Sequence, residues 1–364
     1  MNLPAEYFPD WRSPDYYFAP DDFRKFPDAW CYVVWSRRGP GKTYSLLRWA
    51  YENHITIVYM RRTNKDVQLI CDSKFDLDLS PYVPVCRDSG AVIKPVLIAD
   101  GIGGFYDTFT DDGKVCGKPF SYCVSLNALK GVKGIDLSAA DILVLDEFIP
   151  SPGEIVKHAE GEQLLGIYET VQRDRMKRGR GPLTMVLFGN TDSVATPVTE
   201  TLEIIDDMVE LSASGKDHLY LEDRGIMLHN ITEEEIPVKQ EELVGIRKAM
   251  SGTSWGRKAF SGEFASNDFT NVRKVPLKGF RPVCSYIYKR KDFFVYVNDR
   301  GQFYLTRSRT QRVPVYDLDR QNDQKRFYYE QVIGIKEALM DNRVSCELYS
   351  IYDLIVNYKK IFTL

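Results

Sequence analysis

Two stretches of the chain, Ile142-Leu143-Val144-Leu145 and Met185-Val186-Leu187-Phe188, are continuously apolar, which predicts central strands covered on both faces. Cys31-Tyr32-Val33-Val34-Trp35 is a third short β-prone run. A glycine-rich turn follows it, then Tyr44 to Tyr51 with apolar residues at helical spacing, then a further buried-type strand at Ile55 to Met60. Strand, helix, strand in that order is a βαβ unit and predicts a parallel sheet. Between Pro81 and Ser138 the texture is strand-rich, with hairpins expected at Asp88-Ser89-Gly90 and Asp111-Asp112-Gly113. Gly161 to Lys177 is expected to be helical, and Glu233 to Met250 an acidic amphipathic helix leading into Gly252-Thr253-Ser254-Trp255.

After about Asn271 aromatic and basic residues alternate. Tyr286 to Asn298 and Gln302 to Thr306 flank Asp299-Arg300-Gly301, a hairpin signal, and helical patterns close the chain at Gln324 to Met340 and Ser350 to Lys360. At the other end, Pro4, Pro9, Pro14, Pro20 and Pro27 speak against a long helix and for an extended segment. The expected organisation is an N-terminal extension (1–29), an α/β domain (30–230), a lid or linker (231–275) and a smaller α+β domain (276–364). The α/β domain is expected to be a mostly parallel sheet with helices on both faces.

Composition changes this picture little. The 364 residues exceed one comfortable core, and 44% hydrophobic with 27% charged residues is ordinary for a globular chain. A net charge of -3 does not advertise a nucleic-acid partner, though a sum can hide a local basic channel. The seven cysteines are scattered, without C-x-x-C pairs, and read as reduced thiols. No apolar run approaches the roughly 20 residues of a membrane span, and no apolar signal core opens the chain, so a cytoplasmic location without a membrane partner is expected.

The chemistry concentrates at strand ends. Ser36-Arg37-Arg38-Gly39-Pro40-Gly41-Lys42-Thr43 fits G-x-x-x-x-G-K-[ST] except that Ser36 replaces the first glycine. Gly39 and Gly41 would let backbone N–H groups curl around phosphates, Lys42 would reach the β- and γ-phosphates, and Thr43 would offer a hydroxyl to Mg²⁺. Asp146-Glu147 ends an apolar strand, the form of a Walker B motif. Asp146 would hold Mg²⁺ through water and Glu147 would act as general base. A GTPase is disfavoured, because Asn64-Lys65-Asp66 precedes this strand and lacks N-K-x-D spacing.

Asn190, at the end of Met185 to Phe188 and Gly189, is the candidate γ-phosphate sensor. Arg173 or Arg175 is the candidate for an arginine finger acting in a neighbouring subunit, the alternative being a solvated basic helix end. Arg61 and Arg62 lie at the carboxyl edge of the sheet and could position phosphate or cap the strand. Arg37 and Arg38 could contact nucleotide or an adjoining subunit. Lys130 and Lys133 sit on a glycine-flanked loop that could grip DNA phosphates without reading bases. Lys289-Arg290-Lys291, Arg307, Arg309 and Arg312 interleave with aromatics, a pattern suited to a nucleic-acid backbone or to a plain amphipathic sheet.

Taken in order, Arg38-Gly39-Pro40-Gly41-Lys42-Thr43, Val58-Tyr59-Met60-Arg61-Arg62, Leu145-Asp146-Glu147-Phe148-Ile149, Arg173-Asp174-Arg175 and Phe188-Gly189-Asn190 resemble the DNA encapsidation ATPases of phi29-like podophages. The resemblance is good from Trp30 to about Thr196 and faint after Asn271. It implies an ATP- and Mg²⁺-dependent P-loop motor of the ASCE class, assembled as a homomeric ring, typically of five subunits. Such a ring docks on the portal of an empty prohead in the host cytoplasm and moves double-stranded DNA inward; whether a scaffold RNA joins it to the portal is left open. It also implies a C-terminal domain with a nuclease-like RNase H fold. Because Ser285 to Tyr296 offers only Asp292 among lysines and aromatics, that domain is expected to be vestigial and non-cutting. The alternatives are a terminase large subunit with an active endonuclease, or another ring translocase or helicase.

Overall fold

The three apolar runs that carry no alternation form the middle of one sheet. The computed structural model describes residues 9–72, 79–128, 136–151, 153–154, 156–237, 245–250, 253, 264, 267–309 and 312–364. In chain order the strands of the first sheet are β1 (Cys31–Ser36), β2 (Ile57–Arg61), β3 (Lys94–Ala99), β4 (Ile102–Tyr106), β5 (Ser121–Ser125), β6 (Ile142–Asp146), β7 (Thr184–Asn190), β8 (His218–Leu221) and β9 (Ile226–Ile231). Among the described residues they lie in the order β3-β4-β5-β2-β6-β7-β1-β9-β8. The pairs from β5 across to β9 are all parallel, while β3, β4 and β8 are attached antiparallel at the edges. Burial follows from this order: β1 and β9 are buried along their whole length, and β6 and β7 are buried up to their last residue. A strand with neighbours on both edges and helices on its faces has no solvent side on which to place polar residues.

The helices that matter to the site are α1 (Ala19–Lys25), α2 (Lys42–Glu52), α3 (Asn64–Cys71), α4 (Val83–Ser89) and α5 (Glu160–Lys177). Two of them correct the sequence expectation. The proline-rich N-terminal segment was expected to be extended, without a long helix; residues 9–18 carry no helix, but Ala19–Lys25 forms the short α1, because Pro20 falls in the first turn, where its missing N–H has no intrahelical partner to lose. Tyr17, Phe18, Ala19 and Phe23 are buried in the same core cluster as Tyr32, Val144 and Phe188, so the segment belongs to the α/β unit. Asp88-Ser89-Gly90 is not a hairpin. Its glycine, at φ 73°, is the left-handed C-cap of α4, a position that suits glycine as well as a turn does. Asp111-Asp112-Gly113 does turn the chain, with Phe109 bridged antiparallel to Val115.

By internal contacts the chain divides into two compact units, Met1–Leu202 with Glu210–Ser266, and Glu203–Val209 with Asn267–Leu364. The second unit holds a five-stranded sheet of β10 (Phe280–Tyr288), β11 (Lys291–Asn298), β12 (Phe303–Thr306), β13 (Val315–Asp317) and β14 (Val344–Cys346), ordered β13-β10-β11-β12-β14. Tyr286 to Asn298 reads as one strand in the sequence but is two, folded back at Lys289 and Arg290, both of which have positive φ (50° and 61°). Neither residue is a glycine, asparagine or aspartate, so the usual signature of such a turn is absent. The expected turn at Gly301 (φ 68°) joins β11 to β12. Helices Gln321–Phe327 and Ile333–Met340 continue through a π-helical segment, Tyr328–Val332, and pack Phe327, Val332 and Ile335 with Tyr286 and Leu305. Of the expected acidic helix at Glu233 to Met250, only Ile246–Met250 is helical among the described residues.

Candidate functional site

Parallel register places the tips of β1 and β7 level with one another and the tip of β6 at the same end of the sheet. Ser36 pairs with Asn190, and Asp146 pairs with Phe188, two residues lower on β7. The chain leaves β1 at Ser36 and turns through Gly39 (φ 104°) and Gly41 (φ 85°) before α2 begins at Lys42. Both glycines sit in a backbone region that other L-residues enter at a cost of roughly 1–2 kcal/mol, which is why the loop needs glycine there.

Lys42 is buried beneath this loop. Its Nζ donates to Ser36 Oγ, to the Arg37 carbonyl (3.5 Å) and to Asn190 Oδ1 (3.4 Å). Burial lowers its pKa to about 8, opposed by the nearby Asp146 carboxylate. On the other side, Thr43 Oγ1 and the Tyr59 hydroxyl both donate to Asp146 Oδ2, at 3.0 and 2.8 Å. Burial pushes the Asp146 carboxyl above its usual range, and these two donors with Arg61 pull it back toward the ionised form. A cavity of about 550 Å³ opens beside this group, lined by Thr43, Tyr59, Arg61, Asp66 and Asp146 on its polar side and by Leu69, Ile70, Leu79 and Pro84 on the other.

Glu147 follows Asp146 with φ 60° and ion-pairs with Arg61 at 2.9 Å. Arg62 points elsewhere. It is 8% exposed and directs Nε to Glu160 (2.8 Å), one terminal nitrogen to Glu154 (2.8 Å) and the other to the carbonyls of Glu147 and Phe148 (2.9 and 3.3 Å). Arg62 therefore has no free edge for a phosphate, which corrects the expectation for it. Arg37 is likewise turned away from the loop interior: it is buried and donates to the carbonyls of Arg38, Ile236 and Pro237. Arg38 is exposed, and the carbonyl of Pro40 accepts from the Tyr17 backbone at 2.9 Å.

The two finger candidates separate. Arg173 has a side chain 51% exposed and touches only its neighbour Asp174, at 3.4 Å, among the contacts that can be described. Arg175 is buried and donates to the carbonyls of Ala140 and Gly181 and to Asp141, at the amino end of β6, the far end of the strand from Asp146. A guanidinium clamped there cannot extend to another subunit, so Arg175 is a structural clamp. Lys130, Lys133 and, apart from Thr253, the segment Gly252 to Trp255 lie outside the described residues.

Sequence reasoning missed Tyr59, which reads as one more residue of an apolar run; only the pairing of β2 with β6 reveals where its hydroxyl goes. It also missed a buried network. His229 stands between Asp22 (2.9 Å from Nδ1) and Glu235 (2.9 Å from Nε2), Asp22 also meets His218 (3.1 Å), and the Tyr17 hydroxyl donates to Asp22 (2.8 Å). Burial opposes charging His229, but the two carboxylates outweigh it and raise its pKa to about 9; the histidines in turn hold Asp22 far below the usual carboxylate range against its own burial. Asp22, His218 and His229 are spaced closely enough to share a cation, yet Lys25 lies 3.2 Å from His218 and every donor already has a protein partner. The group reads as an ion-pair network joining α1 to β8 and β9.

No family model matches the chain, and no curated protein sequence matches it. Two solved structures share its fold. One is the Phi-28 gp11 DNA packaging motor, at TM-score 0.60 and 16% identity, covering 97% of this chain and 99% of that one. The other is the bacteriophage Phi-29 viral genome packaging motor assembly, at TM-score 0.62 and 15% identity, covering 96% and 99%. At these identities the likeness establishes a common mixed α/β fold over nearly the whole chain. No helix among the described residues is long and apolar enough to cross a membrane.

Proposed function

We propose that the chain is the ATP-hydrolysing subunit of a phage DNA-packaging motor, acting as a homomeric ring on double-stranded DNA at the portal of a prohead. The observation that carries this reading is the convergence of Lys42, Thr43, Asp146 and Asn190, drawn from three separate parts of the sequence, at the carboxyl ends of β1, β7 and β6. Support for packaging rather than another use of ATP comes from the shared fold with two packaging motors over almost their full lengths.

In this reading the loop from Ser36 to Gly41 presents backbone N–H groups to the phosphates of ATP, and α2 adds the positive end of its dipole. The Lys42 ammonium supplies positive charge where the β- and γ-phosphates meet. Thr43 and Asp146, hard oxygen donors 3.0 Å apart, fit Mg²⁺, which when bound offsets the negative charge of the phosphate oxygens. Glu147, released from Arg61, accepts the proton of the attacking water, and Asn190 holds the γ-phosphate edge from the β7 tip. Arg173 is the residue that projects toward a neighbouring subunit. Lys130 and Lys133 are proposed to meet the DNA backbone, and the second unit to bind nucleic acid or the portal without cutting.

The test is the ATPase rate of the purified protein with and without duplex DNA across a salt series. Stimulation that weakens steadily as salt rises is expected, since gripping phosphates releases counterions. A rate indifferent to DNA at every salt concentration would overturn the motor reading, and failure to bind ATP at all would overturn the nucleotide site.

A further inference from the structure

Resting on the ATPase reading above, we infer that Arg62 is a positioning residue for Glu147, holding the backbone of the general base in its left-handed turn. Glu147 has φ 60°, a conformation that costs a residue with a Cβ roughly 1–2 kcal/mol, and it falls where the direction of a carboxylate decides whether water is activated. Something must hold it.

Two neighbours do. From the β7 side, the Phe148 backbone N–H donates to the Phe188 carbonyl at 3.0 Å, and the Phe148 ring lies where any side chain on Gly189 would collide, 2.7 Å from a built Cβ. From the β2 side, one terminal nitrogen of Arg62 donates to the carbonyls of Glu147 and Phe148 in succession. The Glu147 N–H donates to Asp146 Oδ1 at 3.1 Å, so with Arg62 on its carbonyl both peptide groups that flank its Cα are held, and the second contact, to Phe148, fixes the chain as it leaves the turn. The rest of the guanidinium fork is anchored on Glu160, the first residue of α5, and on Glu154. Arg62 O is bonded in turn to Asn127 Nδ2 at 3.2 Å. An arginine is needed because its planar fork serves all four acceptors at fixed angles; a lysine has one nitrogen and cannot reach both the carboxylates and the carbonyls.

The consequence is a division of labour between adjacent arginines: Arg61 pairs with the Glu147 side chain, Arg62 with its backbone. Without Arg62 the Glu147 carbonyl loses its donor, the turn is held only from its N–H side, and the carboxylate shifts off the strand tip, while the loop from Ser36 to Gly41 is untouched.

The experiment compares steady-state ATP hydrolysis, per nucleotide-binding site, in the wild-type full-length chain, Arg62→Lys and Glu154→Gln. Misplacing a base by about 1 Å costs on the order of 100-fold in rate, so Arg62→Lys is expected to lose about that in kcat, with KM and nucleotide affinity within about twofold of wild type. Glu154 is at the surface end of the fork, so Glu154→Gln loosens the anchor without burying a lone charge and is expected to lose kcat several-fold at unchanged KM. It decides the matter if Arg62→Lys does not fold. A merely structural role would lower the number of binding sites and leave turnover per site intact, which would overturn the proposal, as would wild-type kcat in either folded variant. A wild-type chain that binds no nucleotide would overturn the ATPase reading and this inference with it.

Discussion

The Thr43 hydroxyl lies 3.0 Å from Asp146 Oδ2, although 103 residues separate the two in sequence. The contact makes a single oxygen-donor pair from the first turn of one helix and the last residue of a strand two places away in the sheet. In the proposed reading it divides the site into a phosphate side around Lys42 and a water side around Glu147.

Lys42→Ala is expected to abolish hydrolysis without lowering thermal stability. Its ammonium is desolvated, and burial makes that charge unfavourable in the fold, so removing it relieves a cost that offsets its lost bonds to Ser36, Arg37 and Asn190 while deleting the proposed phosphate contact. An ATPase assay and a thermal melt check this together. Retained turnover, or a melting temperature several degrees lower, would contradict it.

Tyr59→Phe keeps the buried ring but removes one of the two hydroxyls on Asp146 Oδ2. A stability loss of about 1 kcal/mol is expected from the lost hydrogen bond, together with a several-fold rise in the Mg²⁺ concentration giving half-maximal rate. Titrating Mg²⁺ at saturating ATP measures this, and an unchanged Mg²⁺ profile would show that Tyr59 does not support Asp146.

Arg175→Ala and Arg173→Ala are expected to fail differently. The first strips the Ala140 carbonyl and Asp141 of their buried partner and should cost about 3 kcal/mol, whatever the oligomeric state. The second, at an exposed side chain, should leave the melting temperature within about a degree and lower turnover only in assembled rings. Mixing Arg173→Ala subunits with Glu147→Gln subunits tests the action in a neighbour; strictly additive defects would exclude it.

Stability should fall on the alkaline side because of His229. Its folded pKa, raised to about 9 from an ordinary 6.5, means that its contribution is present in full below about pH 6.5 and is lost as pH rises through 9. That contribution is roughly 3 kcal/mol. Asp22 works in the opposite sense: its lowered pKa supplies stability above the ordinary carboxylate range, lost only as pH falls toward strongly acid values. Melting temperatures from pH 6 to 10 should show the alkaline decline in the wild type and a flatter curve in His229→Gln. Equal slopes would assign the decline to other groups.

How much of this was legible beforehand depended on the range of the interactions involved. The need for glycine at positions 39 and 41 and the covered strands at Cys31–Ser36, Ile142–Asp146 and Thr184–Asn190 could be read from a few adjacent residues, and each is present. The order of residues around Lys42-Thr43 and Asp146-Glu147 likewise announced side chains that the fold brings together, Thr43 on Asp146. Short helices and turns were less readable where one residue serves two geometries, as Gly90 caps a helix where a hairpin was expected, and where Lys289 and Arg290 turn the chain without the usual residues.

By itself the sequence determined backbone preference and burial, because torsional sterics and the alternation of apolar positions act over a few residues. Which charged side chains are free, and which are already in use, only the tertiary structure decided. Arg61 and Arg62 are neighbours in sequence, as are Arg173 and Arg175 but for one residue, yet one of each pair is committed to partners in the interior. Those partners, Glu160 for Arg62 and Asp141 for Arg175, stand 98 and 34 residues away. A guanidinium's pairing depends on which distant acids and carbonyls the packed elements bring within 3 Å, and that distance is set by the fold as a whole.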